Sequence, residues 1–499
     1  MKKLMCFILC AVMLLITFCS CDNSNHDSST PASSTVESES SESNKSVADV
    51  PDVDYNNEKF VILTTYTSTT ITNPEFGGSD GEEYIADTIN DAVFARNASV
   101  EDMLHINIEE IMIYDDGSSN PMYEAIMNDV NSGNAAYDLV RPRLIFCATL
   151  GRDGYLQDLL DLEYLHGLKE DWWYDYCNDT MKIDDKLFFA MGDISYRTIA
   201  NAACIVYNKE MHSSYGLENP YELVKSNAWT MDKILEWSVL VKNDENNDGK
   251  ITYEDTYGVG GQYDQIWGLF YAAGGRLAEK DDEGIPEITI YNEKNVNAVS
   301  KILELMQNKD YFVCANDYFG VAQWPGQLLT QAFVEGRNLL YFSSLAGVLS
   351  LREMKVDFGI LPMPLFTDDQ ENYETFLYSY GAHGICISSI LDDERTERAS
   401  IVMEVLGAES RNIITPAYIE KALKYQQTRD DESQEMLDII YSTVGCDIGH
   451  VYQWGNLNFK VLHALINSSA NNFRSLYEAN LPVAEAQLEE DLAAFNKNN

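Results

Sequence analysis

The sequence predicts an α/β fold built from two lobes, and three observations support this prediction. Strand and helix patterns alternate over residues 59–140, which is typical of a sheet covered by helices. The chain has 499 residues, whereas single cores stop growing near roughly 250–300 residues. Residues 192–210 begin with a polar turn and continue as an apolar strand. We therefore expect the chain to cross from one lobe to the other there.

The first part of the chain follows an order of strand, helix, strand, helix and strand. Apolar, β-branched runs indicate the strands, and apolar residues at helical spacing indicate the helices. In a parallel sheet of this kind, ligands bind beyond the carboxyl ends of the strands. This rule points to Tyr66 and Arg141. The predicted strands are residues 59–65, 105–114 and 137–140, and the predicted helices are residues 84–104 and 121–131.

A second set of elements follows the predicted crossover. Residues 202–207 are expected to form an inner strand of the second lobe, with the hinge at residues 194–199. Thr230 can cap a helix, and the chain beyond residue 416 is mostly helical. The other predicted strands are residues 338–342, 358–361 and 378–387, and the predicted helices are residues 231–241, 296–307, 327–335, 345–352 and 393–406.

The N-terminus predicts secretion and a lipid anchor. Lys2 and Lys3 precede an apolar run, residues 4–18, which is shorter than the roughly 20 residues of a membrane span. Residues 18–21 resemble a bacterial lipobox that ends at a lipidated Cys21, although Phe18 replaces the usual Leu or Val. Ordinary cleavage near Cys21 is the alternative. Residues 22–54 are rich in Ser, Thr and Glu and predict a disordered tether.

Charge and cysteine content narrow the classes of protein further. The formal net charge is −46, which argues against nucleic-acid binding and suits a soluble extracellular monomer. Six cysteines beyond Cys21 are scattered without a CxxC pair, so a zinc site is not expected. We expect most of them to be free thiols. They are Cys147, Cys177, Cys204, Cys314, Cys386 and Cys446.

Several short segments, taken in order, carry a resemblance to a known family. They are Gly192-Asp193, residues 205–210 (Ile-Val-Tyr-Asn-Lys-Glu), residues 221–224 (Tyr-Glu-Leu-Val) followed by Trp229-Thr230, residues 332–338 (Ala-Phe-Val-Glu-Gly-Arg-Asn) and residues 357–364 (Asp-Phe-Gly-Ile-Leu-Pro-Met-Pro). With the lipobox and tether, this order resembles the extracellular solute-binding lipoproteins of bacterial ABC importers, of the oligosaccharide-binding type.

The resemblance implies a type II periplasmic-binding-protein-like fold, in which each lobe is a mixed sheet flanked by helices. Lobe one would comprise residues 55–195 and 377–408, and lobe two residues 196–376 and 409–499. The lobes would close by hinge motion over a carbohydrate. A protein anchored at Cys21 on the outer face of the membrane would then deliver that solute to a permease.

Other functions stay open at this stage. No Gly-x-Ser-x-Gly elbow, HExxH motif or phosphate-binding loop is present, so we do not expect an enzyme. A surface carbohydrate-active enzyme is nevertheless one alternative. Others are a binding protein for a peptide, an amino acid or an anion, and a structural surface protein without a small ligand.

Residues 244–255 fit the pattern of a twelve-residue calcium loop. Oxygen-bearing side chains occupy the required positions, Gly249 stands at the sharp turn, and Lys250 would offer its carbonyl. Asp255 replaces the usual Glu at the last position. We expect a structural Ca²⁺, with a solvated turn as the alternative. The predicted ligands are Asp244, Asn246, Asp248, Lys250, Thr252 and Asp255.

Aromatic platforms beside polar side chains are typical of sugar-binding clefts. Three tryptophans near glycine-rich turns are therefore candidates, with core packing as the alternative for each. Asp193 is a further candidate, with helix capping as its alternative, and Ser344 follows a predicted strand. The predicted ligand-binding residues are Tyr66, Arg141, Asp193, Trp267, Trp324, Ser344 and Trp454.

Overall fold

Two separate sheets hold most of the strands in this computed structural model, which describes residues 45–66, 74–77, 88–115, 120–351, 357–424, 431–468 and 471–497. The strands are β1 (Glu58–Tyr66), β2 (Ile106–Tyr114), β3 (Leu139–Val140), β4 (Ala203–Asn208), β5 (Lys242–Asn243), β6 (Thr256–Gly261), β7 (Ala278–Lys280), β8 (Pro286–Ile288), β9 (Phe312–Cys314), β10 (Asn338–Ser344), β11 (Phe358–Leu361), β12 (Thr375–Phe376), β13 (Cys386–Ile387) and β14 (Val444–Gly445).

Helices flank both sheets, and the two longest of the described chain lie beyond residue 392. The helices are α1 (Thr88–Leu104), α2 (Pro121–Ser132), α3 (Leu144–Arg152), α4 (Asp175–Met181), α5 (Tyr196–Ile199), α6 (Lys209–Ser214), α7 (Pro220–Lys225), α8 (Met231–Leu240), α9 (Gln265–Ala272), α10 (Glu293–Met306), α11 (Gly326–Val334), α12 (Leu345–Ser350), α13 (Asp393–Lys424), α14 (Asp431–Ser442), α15 (Ile448–Tyr452), α16 (Ala464–Asn467) and α17 (Phe473–Lys497). A π-helix spans Asn458–His463.

The first sheet has the strand order β13-β3-β1-β2. β1 runs parallel to β2 and to β3, whereas β13 is antiparallel to β3. The interior of β1, from Phe60 to Thr65, is buried, as expected for a strand covered on both faces. Helix α2 packs against β2. The sheet is therefore mixed, as predicted.

The second sheet has the order β11-β4-β10-β6-β5, with β9 also paired to β6. Strands β6, β9 and β10 are mutually parallel, and β4 lies antiparallel between β10 and β11. All six residues of β4 are buried. The prediction of an inner strand at residues 202–207 is confirmed. Helix α8 packs against β6, with Thr230 as its N-cap, as expected.

In the part of the chain that the structure describes, two segments connect strands of the two sheets, and these crossing segments lie side by side. The first crossing, residues 193–202, contains α5, and the second comprises residues 377–385. A bridge joins Ala202 to Leu377, and Thr198 Oγ1 donates to the carbonyl of His383 at 2.8 Å. No strand of either sheet continues through residues 194–199. This pair of connections is the geometry that a hinge requires.

Three sequence predictions need correction or extension. The strand predicted at residues 378–387 is wrong over most of its length, and only β13 forms. Residues 378–385 instead make isolated bridges and single backbone hydrogen bonds, one of them to the first crossing. Helix α13 extends to Lys424, well past residue 406. The predicted tether ends earlier than residue 54, because Ser46 exchanges hydrogen bonds with Asn412 at 2.9 and 2.8 Å. Residues 1–44, including Cys21, lie outside the described residues.

Large aromatic side chains and free thiols fill the cores. Trp229 and Trp237 are buried and pack against each other with ring centroids 5.4 Å apart. The six cysteines of the described chain are buried free thiols, as expected.

Candidate functional site

The carboxyl edges of both sheets adjoin the crossing segments. Cys386 pairs with Val140, so the second crossing enters the first sheet where β1 and β3 end. Ala203 pairs with Ser344, so the first crossing enters the second sheet where β10 ends. Topology alone therefore brings the two edges to one junction. Edges of this type hold ligands in open α/β sheets.

At the first edge, Arg141 lies in a buried ionic cluster. Its side chain is 1% exposed, and Nε lies 3.5 Å from Glu75 Oε2. Arg197 Nε lies at the same distance from that oxygen, and Ser195 Oγ donates to it at 3.1 Å. Arg141 Nη2 also donates to the Thr65 carbonyl at 3.4 Å. One carboxylate is thus shared between two guanidinium groups from different elements.

His383 lies beside this cluster, on the second crossing. Its Nε2 is 3.4 Å from Thr65 Oγ1. Burial, followed by the charges of Arg141, Arg197 and Arg143, holds the pKa of His383 well below its ordinary value. The imidazole is therefore neutral. Sequence reasoning missed both Glu75 and His383, because their partners are distant along the chain.

The other polar candidates occupy defined positions. Tyr66 ends β1, and its ring packs edge-on against Tyr114 with centroids 5.5 Å apart. Asp193 is 3% exposed and accepts from the Tyr174 hydroxyl at 3.0 Å and from Arg411 Nη1 at 3.1 Å. Burial raises its pKa. These two bonds tie the first crossing to Tyr174 and to α13.

At the second edge, an exposed loop follows β9. We call residues 318–324 the aromatic loop. Phe319 and Val321 are each 61% exposed, and Trp324 is 54% exposed. Exposed apolar side chains gathered within one short loop commonly mark an interaction site. The sequence pointed to Trp324 but missed Phe319 and Val321, although their clustering between Asp317 and Pro325 was a usable signal.

Ser344 ends β10 at the same edge of the second sheet and precedes the next helix. Its Oγ accepts from the N–H of Gly347 at 3.4 Å and so caps α12. Ser343 Oγ donates to the Ser344 carbonyl at 3.2 Å. Both side chains are half-buried. Capping thus explains the position of Ser344.

Trp267 lies on α9, and both faces of its ring are covered. The His463 ring stacks at 4.4 Å with an interplanar angle of 4°, and Tyr380 stacks at 5.6 Å. Its Nε1 donates to the carbonyl of Asn458 at 3.1 Å. The indole is 4% exposed. We call Trp267, Tyr380, His450, Phe459 and His463 the Trp267 cluster. Its packing matches core packing, which was the alternative to sugar binding for this tryptophan.

Trp454 is also buried, at 1% exposed. Its Nε1 donates to Asp491 Oδ2 at 2.8 Å, and its ring stacks on Tyr452 at 5.3 Å. No face of this ring is open to a solute in the structure. Its signal in the sequence, an aromatic residue before a glycine, is equally typical of packing against a C-terminal helix.

The predicted calcium loop has the turn that its sequence requires. Asp244 accepts from the N–H groups of Asp248 and Gly249 at 3.2 and 2.7 Å, and Gly249 has φ +84°, a conformation that favours glycine. Asp255 is fully buried, and its Oδ1 accepts from the N–H of Glu245 at 3.0 Å.

The donor set of this loop suits a hard cation, because it consists of oxygen atoms. Asp255 already accepts from Thr252 N and Oγ1, each at 2.9 Å. Within the described ranges, no group of three or more His, Cys, Asp or Glu side chains is arranged to hold a metal ion. The turn at Gly249 has the shape of the predicted loop, whereas the Asp255 carboxylate accepts hydrogen bonds from Glu245 and Thr252.

Comparisons with known proteins identify the fold. No protein-family model matches the chain, and no protein with a curated description matches it. Among solved structures, the ABC substrate-binding protein Lmo0181 from Listeria monocytogenes, in complex with cycloalternan, has a TM-score of 0.55 at 13% identity. The match covers 86% of this chain and 99% of the Lmo0181 chain. The fold is the two-lobed one of periplasmic binding proteins.

Two further structures agree with this fold. The maltose-binding protein MalE from Listeria monocytogenes, in complex with maltose, has a TM-score of 0.54 at 14% identity and covers 87% of this chain and 98% of its own. UgpB from Mycobacterium tuberculosis, in complex with glycerophosphocholine, has a TM-score of 0.54 at 15% identity and covers 81% and 96%. The predicted fold class is confirmed. Among the described residues, no helix has the length and apolar character needed to span a membrane.

Proposed function

We propose that this protein is the extracellular solute-binding component of an ABC importer and that it captures a carbohydrate between its two lobes. The observation that carries the proposal is the aromatic loop at the carboxyl edge of the second sheet. Trp324 and Phe319 are exposed there, at the edge where solutes bind in sheets of this topology. The sugar complexes of structurally similar proteins support the choice of ligand.

The chemistry of the two edges suits the two surfaces of a sugar. The apolar C–H face of a pyranose packs against flat aromatic rings, and its hydroxyl groups need hydrogen-bonding partners. The aromatic loop offers the first surface. The polar side chains around Arg141 offer the second. Closure about the paired crossing segments would then bury the sugar, and the closed form would be recognised by a permease.

A thermal-shift screen tests this proposal directly. The protein is heated with members of a sugar library, a peptide mixture and single amino acids. We expect stabilisation by one class of sugar, because a ligand that binds only the folded state raises the melting temperature. Tryptophan fluorescence should change on binding, and chromatography should return the sugar uncleaved. Cleavage would support the enzyme alternative, and stabilisation by peptides alone would exclude a carbohydrate.

The anchoring of the protein is a separate proposal that rests on the lipobox. Cys21 would carry the lipid on the outer face of the membrane, and the folded chain would lie outside the cell. Expressed in a bacterium that processes lipoproteins, the wild type should partition into detergent. Cys21→Ala should enter the aqueous phase. Equal partitioning of both proteins would contradict the anchor.

We also propose a structural Ca²⁺ in residues 244–255. The turn at Gly249 and the oxygen donors support it. Addition of EDTA to a calcium-loaded sample should lower the melting temperature, and added Ca²⁺ should restore it. Asp244→Asn should abolish this dependence, while Asp281→Asn, in a turn between β7 and β8, should retain it. An unchanged melting temperature in EDTA would refute the site.

A further inference from the structure

Two of the buried thiols lie in contact although their residues are far apart in the chain. Cys147 is on α3 and Cys386 is on β13. They are separated by 239 positions in the sequence, and their sulfur atoms are 3.9 Å apart, with Cys386 Sγ donating to Cys147 Sγ. Both side chains are fully buried. Folding therefore brings two thiols together that the sequence alone could not pair.

Regular secondary structure positions both sulfur atoms. Cys147 lies in the first turn of α3, where its N–H donates to the Arg143 carbonyl at 3.1 Å. Cys386 pairs with Val140 in the first sheet. A Cβ at Gly384 would lie 2.9 Å from Cys147 Sγ, so the missing side chain at residue 384 leaves room for this thiol. The contact thus joins two ordered elements and does not depend on a surface loop.

The distance between the sulfur atoms is that of two thiols in contact, and it is close to the reach of a covalent bond. A disulfide requires the sulfur atoms to approach to about 2.05 Å. The remaining gap is about 2 Å, whereas a change of one staggered rotamer displaces a cysteine sulfur by roughly 3 Å. Side-chain rotation is therefore large enough to close the gap without a movement of α3 or β13.

The pair lies where the second crossing enters the first sheet. Cys386 directly follows the crossing, residues 377–385. Two backbone hydrogen bonds already join this crossing to the start of α3, from Leu144 N to the Ala382 carbonyl at 3.0 Å and from Gly384 N to the Pro142 carbonyl at 3.1 Å. A covalent bond here would fix the end of the crossing to α3 and would close a loop of more than two hundred residues.

We propose that Cys147 and Cys386 form a disulfide as the exported chain folds. This inference rests on the proposed function for one premise, that the protein folds outside the cytoplasm, where disulfides form and persist. The oxidant is a protein or small-molecule disulfide. One cysteine thiolate attacks its S–S bond to give a mixed disulfide, and the second displaces the oxidant. The two cysteines lose two protons and two electrons, and the oxidant takes up both and leaves as two thiols.

Burial determines when this reaction takes place. Burial, followed by the contact with Cys147, holds the pKa of Cys386 well above its ordinary value. Because the thiolate is the form that reacts, the folded protein protects the pair from oxidation. The bond therefore forms before the two side chains are buried, and the folded chain afterwards shields it from reductants.

Mass spectrometry of the exported protein tests this inference. The full chain, with its own leader, is expressed in a bacterium whose exported proteins form disulfides. The exported fraction is quenched with acid, alkylated in denaturant and digested. We expect a peptide pair joined through Cys147 and Cys386 that separates on reduction. An exported protein alkylated at both cysteines would overturn the disulfide and leave the proposed function standing. Absence of the protein from the exported fraction would contradict both.

Cys147→Ala assigns the bond to this pair, and Cys314→Ala is the matched control. Cys314 is a buried thiol whose sulfur lies 3.5 Å from Asn316 Oδ1, and its variant should keep the joined peptides, whereas Cys147→Ala should lose them. A reductant should lower the melting temperatures of the wild type and Cys314→Ala by roughly 3 °C more than that of Cys147→Ala. Should Cys147→Ala fail to fold, Cys386→Ala takes its place. Equal shifts in all these proteins would contradict a bond that constrains the fold.

Discussion

Trp267 and Trp324 both follow strands of the second sheet at its carboxyl edge, yet the structure uses them differently. Trp267 is stacked between Tyr380 and His463, whereas Trp324 is 54% exposed in the aromatic loop. The same residue type thus stabilises the protein at one place and offers a free surface at the other. The difference teaches that exposure, and not residue type, separates a binding platform from a packed core.

Removal of Trp267 should have the largest effect on stability. Trp267→Ala deletes a buried indole stacked on both faces and leaves the Asn458 carbonyl without its donor. Such truncations cost about 3–5 kcal/mol in free energy of unfolding, measurable by denaturant titration. Trp267→Phe keeps a ring between the stacking partners and should lose less. A stability equal to that of the wild type would show that the Trp267 cluster is not part of the core.

The pH dependence of stability should report the same cluster. Burial, followed by the charge of His463, lowers the pKa of His450 to about 3, whereas the unfolded chain titrates near 6.5. The unfolded state therefore gains a proton below about pH 6.5 that the folded state does not accept, and stability falls as the pH falls.

Comparison with His450→Asn separates the contribution of His450 to the pH dependence from the contributions of other titrating groups. The advantage of the wild type over the variant in free energy of unfolding should shrink by about 2 kcal/mol between pH 7 and pH 5. Denaturant titrations of both proteins at the two pH values measure it. A constant advantage would mean that His450 is not held neutral.

Removal of Trp324 should have the smallest effect on stability and a selective effect on binding. Trp324→Ala should change the free energy of unfolding by less than about 0.5 kcal/mol, as surface substitutions commonly do. Loss of one aromatic contact should weaken sugar binding by about 1 kcal/mol, roughly fivefold. Leu240→Ala, at a residue 54% exposed on α8, is the control and should bind normally. Unchanged affinity in Trp324→Ala would remove the aromatic loop from the site.

Local sequence signals predicted most of the elements. Gly133 ends α2 with φ +72°, Thr230 caps α8, and the apolar runs at β1, β4 and β10 formed strands. Each of these depends on neighbouring residues only. The strand predicted at residues 378–387 was wrong over most of its length for the opposite reason, because the hydrogen-bond partners of this segment, among them Pro142, Ala190 and Asn201, are distant in the sequence.

The site was harder to predict because its members meet only in the fold. Arg141 was identified from its position after a strand, but Glu75 lies 66 residues earlier and His383 far later in the chain. No local sequence pattern predicts such contacts. Burial is equally non-local, so the sequence could not separate Trp324 from Trp267 or Trp454. Tyr66, Arg141 and Trp324 lie at the predicted edges, and their contact with a solute stays a prediction.

A distance measured between the lobes tests the central claim most directly. Asn131→Cys on α2 and Val239→Cys on α8 place labels at exposed positions, and the six cysteines of the described chain are buried, which favours selective labelling. The label-to-label distance is measured by fluorescence energy transfer with and without a sugar that stabilises the protein. We predict a shorter distance at saturating sugar. An unchanged distance at saturation would contradict capture by closure of the two lobes.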